Sequence, residues 1–220
     1  MKKNINLIAL LLLSISIFSC KKDDFNYPEG HVGISKITNY PIITLKGDLL
    51  TFVNQGTTYT DAGVTAMVGE TSVEFTSSGT VNTAVPGVYV IDYAAKNEDG
   101  FAATAYRSVI VMSTSADIPN HNYSGTYDRY AGGSPNGQTS TWTKTGNGVY
   151  TVANPGGATG VTVTAVNYSG NLIAIPQQET SAGTMSSSGG VYNPTASPLQ
   201  YVWTILNATY GTSPRTFVKK

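Results

Sequence analysis

Cysteine occurs once in this 220-residue chain, at Cys20, which excludes an internal disulfide and leaves packing and hydrogen bonding to hold whatever fold forms. Histidine is nearly as scarce. His31 and His121 have no Cys, His, Asp or Glu around them at ligand spacing, so neither a metal centre nor a cofactor is expected. Charge is sparse and balanced, with 13 basic and 13 acidic residues, and such a surface lacks the basic footprint that nucleic acid requires. No apolar run is long enough to span a bilayer comfortably: the longest, residues 5–18, would rise about 21 Å as a helix against a hydrocarbon core of about 30 Å. Beyond it, no stretch repeats apolar residues at i, i+3, i+4 and i+7, which argues against a helical domain. Nucleophile elbows and phosphate-binding loops are missing as well. A glycosidase would need two carboxylates across a cleft, and residues 120–220 offer only Asp128 and Glu179. Catalysis is therefore not expected.

What is present begins with a leader. Lys2 and Lys3, the apolar run and the small Ser19 have the pattern of an export signal over residues 1–19. The sequence "IFSC" at 17–20 resembles the bacterial lipobox, which implies that Cys20 becomes the lipidated first residue of the mature chain. A lone thiol would be a liability in an exported protein, and acylation removes it while adding about 0.8 kcal/mol of membrane attachment per buried methylene. Cleavage would remove two of the 13 basic residues, leaving 11 against 13 acidic. Residues 20–33, "CKKDDFNYPEGHVG", show no structural period and read as a flexible tether. The acidic pair after the cysteine resembles the surface-export mark of Bacteroidota lipoproteins, which implies an outer-membrane protein exposed at the cell surface.

Charge density divides the rest. Residues 34–113 carry four basic and seven acidic side chains, whereas residues 120–220 carry five and two, and "STSADIPN" at 113–120 has the composition of a linker, placed at 114–119. Two all-β domains are predicted. In the first, strands are expected near 42–45, 49–53, 64–68, 73–76, 88–96 and 102–112, with a type II turn at Pro86-Gly87 and a hairpin at Asp99-Gly100. Tyr89, Ile91, Tyr93 and Ala95 share one face of the long strand, the expected core. In the second, strands near 125–131, 139–145, 148–153, 161–167, 171–178, 199–207 and 215–220 suggest an antiparallel meander, as an open sandwich or a small barrel. "AGGSPNG", "NPGGATG" and "SAGTMSSSGG" are expected as long glycine-rich loops.

The series "PIITLKGD", "GTTYTDAGVTA", "PGVYVIDYAAKNEDG" and "RSVIV" over residues 36–112 resembles the bacterial surface immunoglobulin-like domain found in Bacteroidota lipoproteins and in some pesticidal crystal proteins. The resemblance implies an immunoglobulin-like β-sandwich acting as a spacer or interaction module. Where that family often has Pro, Asp and Asn, this chain has Ala62, Asn97 and Phe101, and the missing acid argues against calcium at that turn. "NYSGTYDR" and the closing aromatic strand resemble the uncharacterised C-terminal domain of some Bacteroidota lipoproteins.

Binding is the function class that the composition favours. Sugars offer apolar faces and many hydroxyls, which suit an aromatic shelf ringed by amides. Both tryptophans and eight of the 14 tyrosines fall in residues 120–220. Trp203 alternates with Leu199, Tyr201 and Ile205 and is assigned to the core, whereas Trp142 has Ser140 and Lys144 on its face and is the candidate platform. Tyr130, Arg129, Asn136 and Gln138 complete the candidate ligand site. The expected protein is a non-catalytic, lipid-anchored glycan-binding accessory of a polysaccharide-uptake system. The alternative is a structural or protein-interaction module docking on an outer-membrane transporter or a neighbouring lipoprotein.

Overall fold

The computed structural model describes residues 26–32 and 35–220, which fall into two units divided between Asn39 and Tyr40. The leader, Cys20, and residues 21–25 and 33 of the 20–33 tether lie outside the described residues. The first unit contains a minimal antiparallel ribbon, β1 (His31–Val32) and β2 (Ser35–Lys36), with His31 opposite Lys36.

The second unit begins with a sandwich. One sheet holds β3 (Pro41–Leu45), β5 (Val64–Val68) and β6 (Thr71–Ser72), and the other holds β4 (Leu50–Asn54), β9 (Ala102–Met112), β8 (Gly87–Lys96) and β7 (Phe75–Ser78) in that spatial order. Strand β4 runs parallel to β9 and every other pair is antiparallel. Val64, Ile91, Tyr93 and Val109 form the buried centre, and Ile43, Leu45, Val53 and Tyr89 pack around it. The alternation of the long strand thus places its expected face inward, because successive β side chains point to opposite sides.

Two turns differ in instructive ways. The Pro86-Gly87 turn is not formed: Gly87 opens β8, and the reversal falls three residues earlier, where Asn82 accepts from the Ala84 and Val85 amides. The turn between β8 and β9 is fixed by Asn97, whose Oδ1 accepts from the Phe101 amide at 2.8 Å while Gly100 takes φ 86°. An amide at 97 thereby does the local work of an acid.

Residues 125–219 close into a barrel. Its wall runs β10 (Gly125–Ala131), β11 (Ser134–Gly146), β12 (Val149–Ala153), β13 (Thr162–Ser169), β14 (Leu172–Ala174), β16 (Gly183–Asn193), β17 (Gln200–Leu206) and β18 (Pro214–Lys219), and β18 returns to β10. A short β15 (Gln178–Thr180) pairs with the start of β16. Of the two architectures left open by the strand pattern, the closed one is formed. Two of the three expected loops are strand instead: "AGGSPNG" is a tight turn leading into β11, and "SAGTMSSSGG" is most of β16.

Closure depends on a glycine. At Gly190 a Cβ would stand 2.0 Å from the Ile173 carbonyl oxygen, so only a residue without one lets β16 approach β14 where Leu172 faces Val191. The register slips between Ser188 and Val191 at the same place, a bulge of the kind that turns barrel corners.

An eight-stranded barrel is narrow enough to be filled by side chains. Here aromatics fill it: Tyr127, Trp142, Tyr150, Tyr192, Tyr201, Trp203 and Phe217 are all buried. Trp142 stacks on Trp203 with centroids 5.3 Å apart, and Tyr201 on Phe217 at 4.8 Å.

The 114–119 linker is anchored between the lobes. Residues Ile118–Asn120 make a single 3₁₀ turn, and Ile118 packs with Ile110, Met112, Val166 and Ala174. Around this apolar cluster the Ser113 amide donates to the Tyr168 carbonyl at 2.7 Å, Ser108 Oγ to the Gln177 carbonyl at 2.8 Å, and the Tyr106 hydroxyl to Glu179 Oε1 at 2.7 Å. Burying one such aliphatic side chain stabilises by about 1.5–3 kcal/mol, so the contact holds the lobes far better than exposed polar pairs alone.

Candidate functional site

Five side chains on β10 and β11 form the expected ligand site, and the structure separates one of them from the rest. Trp142 is 1 % exposed and lies in the middle of the aromatic core, so no sugar can stack on it. Its neighbours explain the misleading pattern. Ser140 and Lys144 do face the same way, but the Ser140 hydroxyl donates to the Ala153 carbonyl and Lys144 Nζ to the Pro119 and His121 carbonyls at 2.6 and 2.7 Å. Polar side chains satisfied by backbone carbonyls can occupy an inward face that composition alone marks as wet.

The other four meet at one rim of the barrel. Arg129 Nη1 donates to Gln138 Oε1 at 2.5 Å, Asn136 Nδ2 donates to the same oxygen at 3.2 Å, and the Gln138 amide donates back to Asn136 Oδ1 at 3.0 Å. Tyr130, the next residue along β10, faces the outer side of the wall, where with Gly132, Gly133, Gln200 and Thr216 it lines an open depression of about 520 Å³ that Arg129 also borders. The tight Gly132-Gly133 turn, with φ of 59° and 84°, brings the ends of β10 and β11 together and so sets Asn136 and Gln138 beside Arg129.

A further residue belongs to this rim. Arg215 on β18 is 6 % exposed; its Nη2 donates to the Tyr210 carbonyl, and its guanidinium carbon lies 5.4 Å from the centroid of the Tyr210 ring. Burial, and then the nearby Arg129 charge, pull Arg215 below the ordinary arginine range. Arg215 alternates with the core Phe217 just as Arg129 alternates with the core Tyr127, and an arginine in phase with inward aromatics was the available signal.

The 154–160 loop, the one expected loop that forms as such, covers this end. Trp203 Nε1 donates to the Pro155 carbonyl at 2.9 Å. At Gly156 a Cβ would meet the Tyr210 ring at 2.3 Å, and at Gly157, with φ 91°, it would meet Arg129 Cδ at 2.7 Å. The glycine pair lets the loop press directly onto both side chains.

The two carboxylates of this lobe are engaged elsewhere. Asp128 pairs with Lys220 at 3.2 Å, and Glu179 accepts from Tyr106 and from Thr184. Among the described residues, no cluster of three or more His, Cys, Asp or Glu could hold a metal ion.

These features define an immunoglobulin-like sandwich joined to a closed, aromatic-filled barrel with a polar, arginine-bearing rim. Residues 43–111 match the family model described as bacterial surface protein, Ig-like domain, so the sandwich is a domain of that bacterial surface type. Among solved structures, the lipoprotein BT2262 from Bacteroides thetaiotaomicron is similar at 22% identity, over 82% of this chain and 100% of that one, with a TM-score of 0.36. Among curated proteins, none matches the chain.

Proposed function

We propose that this is a non-catalytic protein of the bacterial cell surface, lipid-anchored in the outer membrane through Cys20, whose sandwich carries a glycan-binding barrel as an accessory to polysaccharide uptake. The observation that carries the reading is the Arg129–Gln138–Asn136 cluster beside the open depression that Tyr130 lines. Amides and an arginine held in one hydrogen-bonded group, next to an aromatic, are the partners that sugar hydroxyls need, and their mutual bonds preorganise them.

The test is affinity electrophoresis of the full chain in detergent, through gels containing individual polysaccharides. Wild-type protein is expected to be retarded by at least one of them, and Tyr130→Ala combined with Asn136→Ala to run free. Failure of every polysaccharide to retard the wild type sinks the reading. Mass spectrometry of native protein tests the anchor through the acyl mass on Cys20.

A specific observation favours the second reading, a protein-interaction module. Tyr40 and Phe101 lie exposed on the sandwich with ring centroids 5.1 Å apart, and Ile42 is 67 % exposed. Recovery of one outer-membrane protein by the wild type but not by Ile42→Asp would support it.

A further inference from the structure

The rim holds more positive charge than it neutralises. Arg129 faces Phe217 across the β10–β18 pair and Arg215 stands two residues before Phe217 on the same face, which sets the two arginines diagonally beside each other, and neither pairs with a carboxylate among the described residues. The lobe's two acids are engaged with Lys220 and at the lobe junction. Three buried guanidinium nitrogens, Arg129 Nε, Arg215 Nε and Arg215 Nη1, have no acceptor among the described residues. Arg215 is more than nine-tenths buried, and its hydrogen bond and its cation–π contact both go to Tyr210. Arg129 in turn is only partly buried, so the pair meets solvent on its side.

A cation removed from water without a counter-charge is costly, and unpaired buried donors add to the cost. Two such cations side by side are most simply balanced by an anion that accepts from both. Guanidinium groups suit an oxyanion well, being always charged and rich in fixed donors. The Gln138 and Asn136 amides at the same rim would take up adjoining hydroxyls.

We propose that Arg129 and Arg215 together form the recognition point for an oxyanion carried on a sugar, a carboxylate or a sulfate ester, so that the glycan bound at this rim is acidic. The inference rests on the glycan-binding reading for the source of the anion, while the anion site itself stands on the arginine pair. A purely structural Arg215, tied down by Tyr210, is the alternative that the experiment separates.

The experiment uses the full chain in detergent with polygalacturonate, dextran sulfate and neutral dextran in affinity gels, and with free glucuronate and sulfate in thermal denaturation at constant ionic strength. Retention by one or both acidic polymers and not by dextran is expected, polygalacturonate marking a carboxylate and dextran sulfate a sulfate ester. Arg129→Gln should weaken that retention at least tenfold. Arg215→Gln should do the same, and Arg129→Lys, which keeps the charge but not the donor array, should lose part of it. Lys96→Gln, an equal loss of charge at an exposed position on the sandwich, should bind as wild type.

The outcomes divide cleanly. Retention by neutral dextran that survives Arg129→Gln overturns the oxyanion site and leaves the glycan reading standing. An Arg129-dependent rise in melting temperature with glucuronate or sulfate, without retention by any polymer, keeps the site and overturns its glycan source. If no oxyanion stabilises the wild type beyond chloride, and Lys96→Gln lowers retention as much as Arg129→Gln does, the pair is structural and the proposal fails.

Discussion

The two lobes each bury an arginine and treat it differently. In the sandwich, Arg107 is 2 % exposed and donates from Nη1 to Asp61 at 3.0 Å and from Nη2 to the Lys46 and Gly63 carbonyls at 2.5 and 3.3 Å, leaving Nε alone without an acceptor. Asp61 also accepts from the Tyr59 and Tyr93 hydroxyls and the Gly63 amide. In the barrel, Arg215 has one carbonyl and the face of one ring. The sandwich shows what an arginine with a structural task looks like in this chain, a cation matched by a carboxylate and surrounding acceptors, and Arg215 departs from that standard.

The contrast extends to the cores. A charge network ties the sandwich together across strands, whereas the barrel relies on interlocked rings with few ionic contacts. Replacing Trp142 with Ala should therefore have the largest effect of any single change considered, destabilising the barrel by about 3–5 kcal/mol through the cavity it leaves. Both tryptophans lie in the barrel, so fluorescence of the remaining Trp203 during urea unfolding reads that lobe alone. A loss below about 1 kcal/mol would show that the ring core is not what holds the barrel.

Asp61→Ala comes next, at about 3 kcal/mol. It strands Arg107, and the cost falls toward the low end of the range for broken buried pairs because the Asp61 side chain is 27 % exposed. Hydrogen exchange should show the loss confined to strands 41–112; equal loss in the barrel would mean that the lobes unfold as one. Gly190→Ala is expected to cost about 1–3 kcal/mol by forcing the β14–β16 seam apart, visible as faster amide exchange at Tyr192, whose N–H donates to the Asn171 carbonyl. Tyr106→Phe should have the smallest effect, about 0.5–1 kcal/mol, read as a wider gap between the two lobes' unfolding transitions.

Much of this architecture was legible because alternation is a local signal. The sandwich strands and the core face of β8 follow from residues two apart. The barrel was harder where side chains say little: β16 offers Met185 and Tyr192 as inward anchors among serines and glycines, and its identity as a strand comes from partners far away in sequence. At the site, Arg129, Asn136 and Gln138 could be grouped because a short turn brings them together. Arg215 enters from a strand about 80 residues later, and Trp142 was misjudged because carbonyls from the linker and a neighbouring strand, invisible locally, satisfy the polar residues beside it. Tertiary partners, not propensity, decided both.

The way β18 completes the wall bears on how the molecule is made. It lies between β10 and β17, so the barrel lacks its keystone until residues 214–219 are available. The sandwich has every strand by Met112 and can mature first during synthesis. Until the keystone arrives, nearly half the polypeptide carries an unsealed, ring-rich interior, a span in which a chaperone would find its natural client.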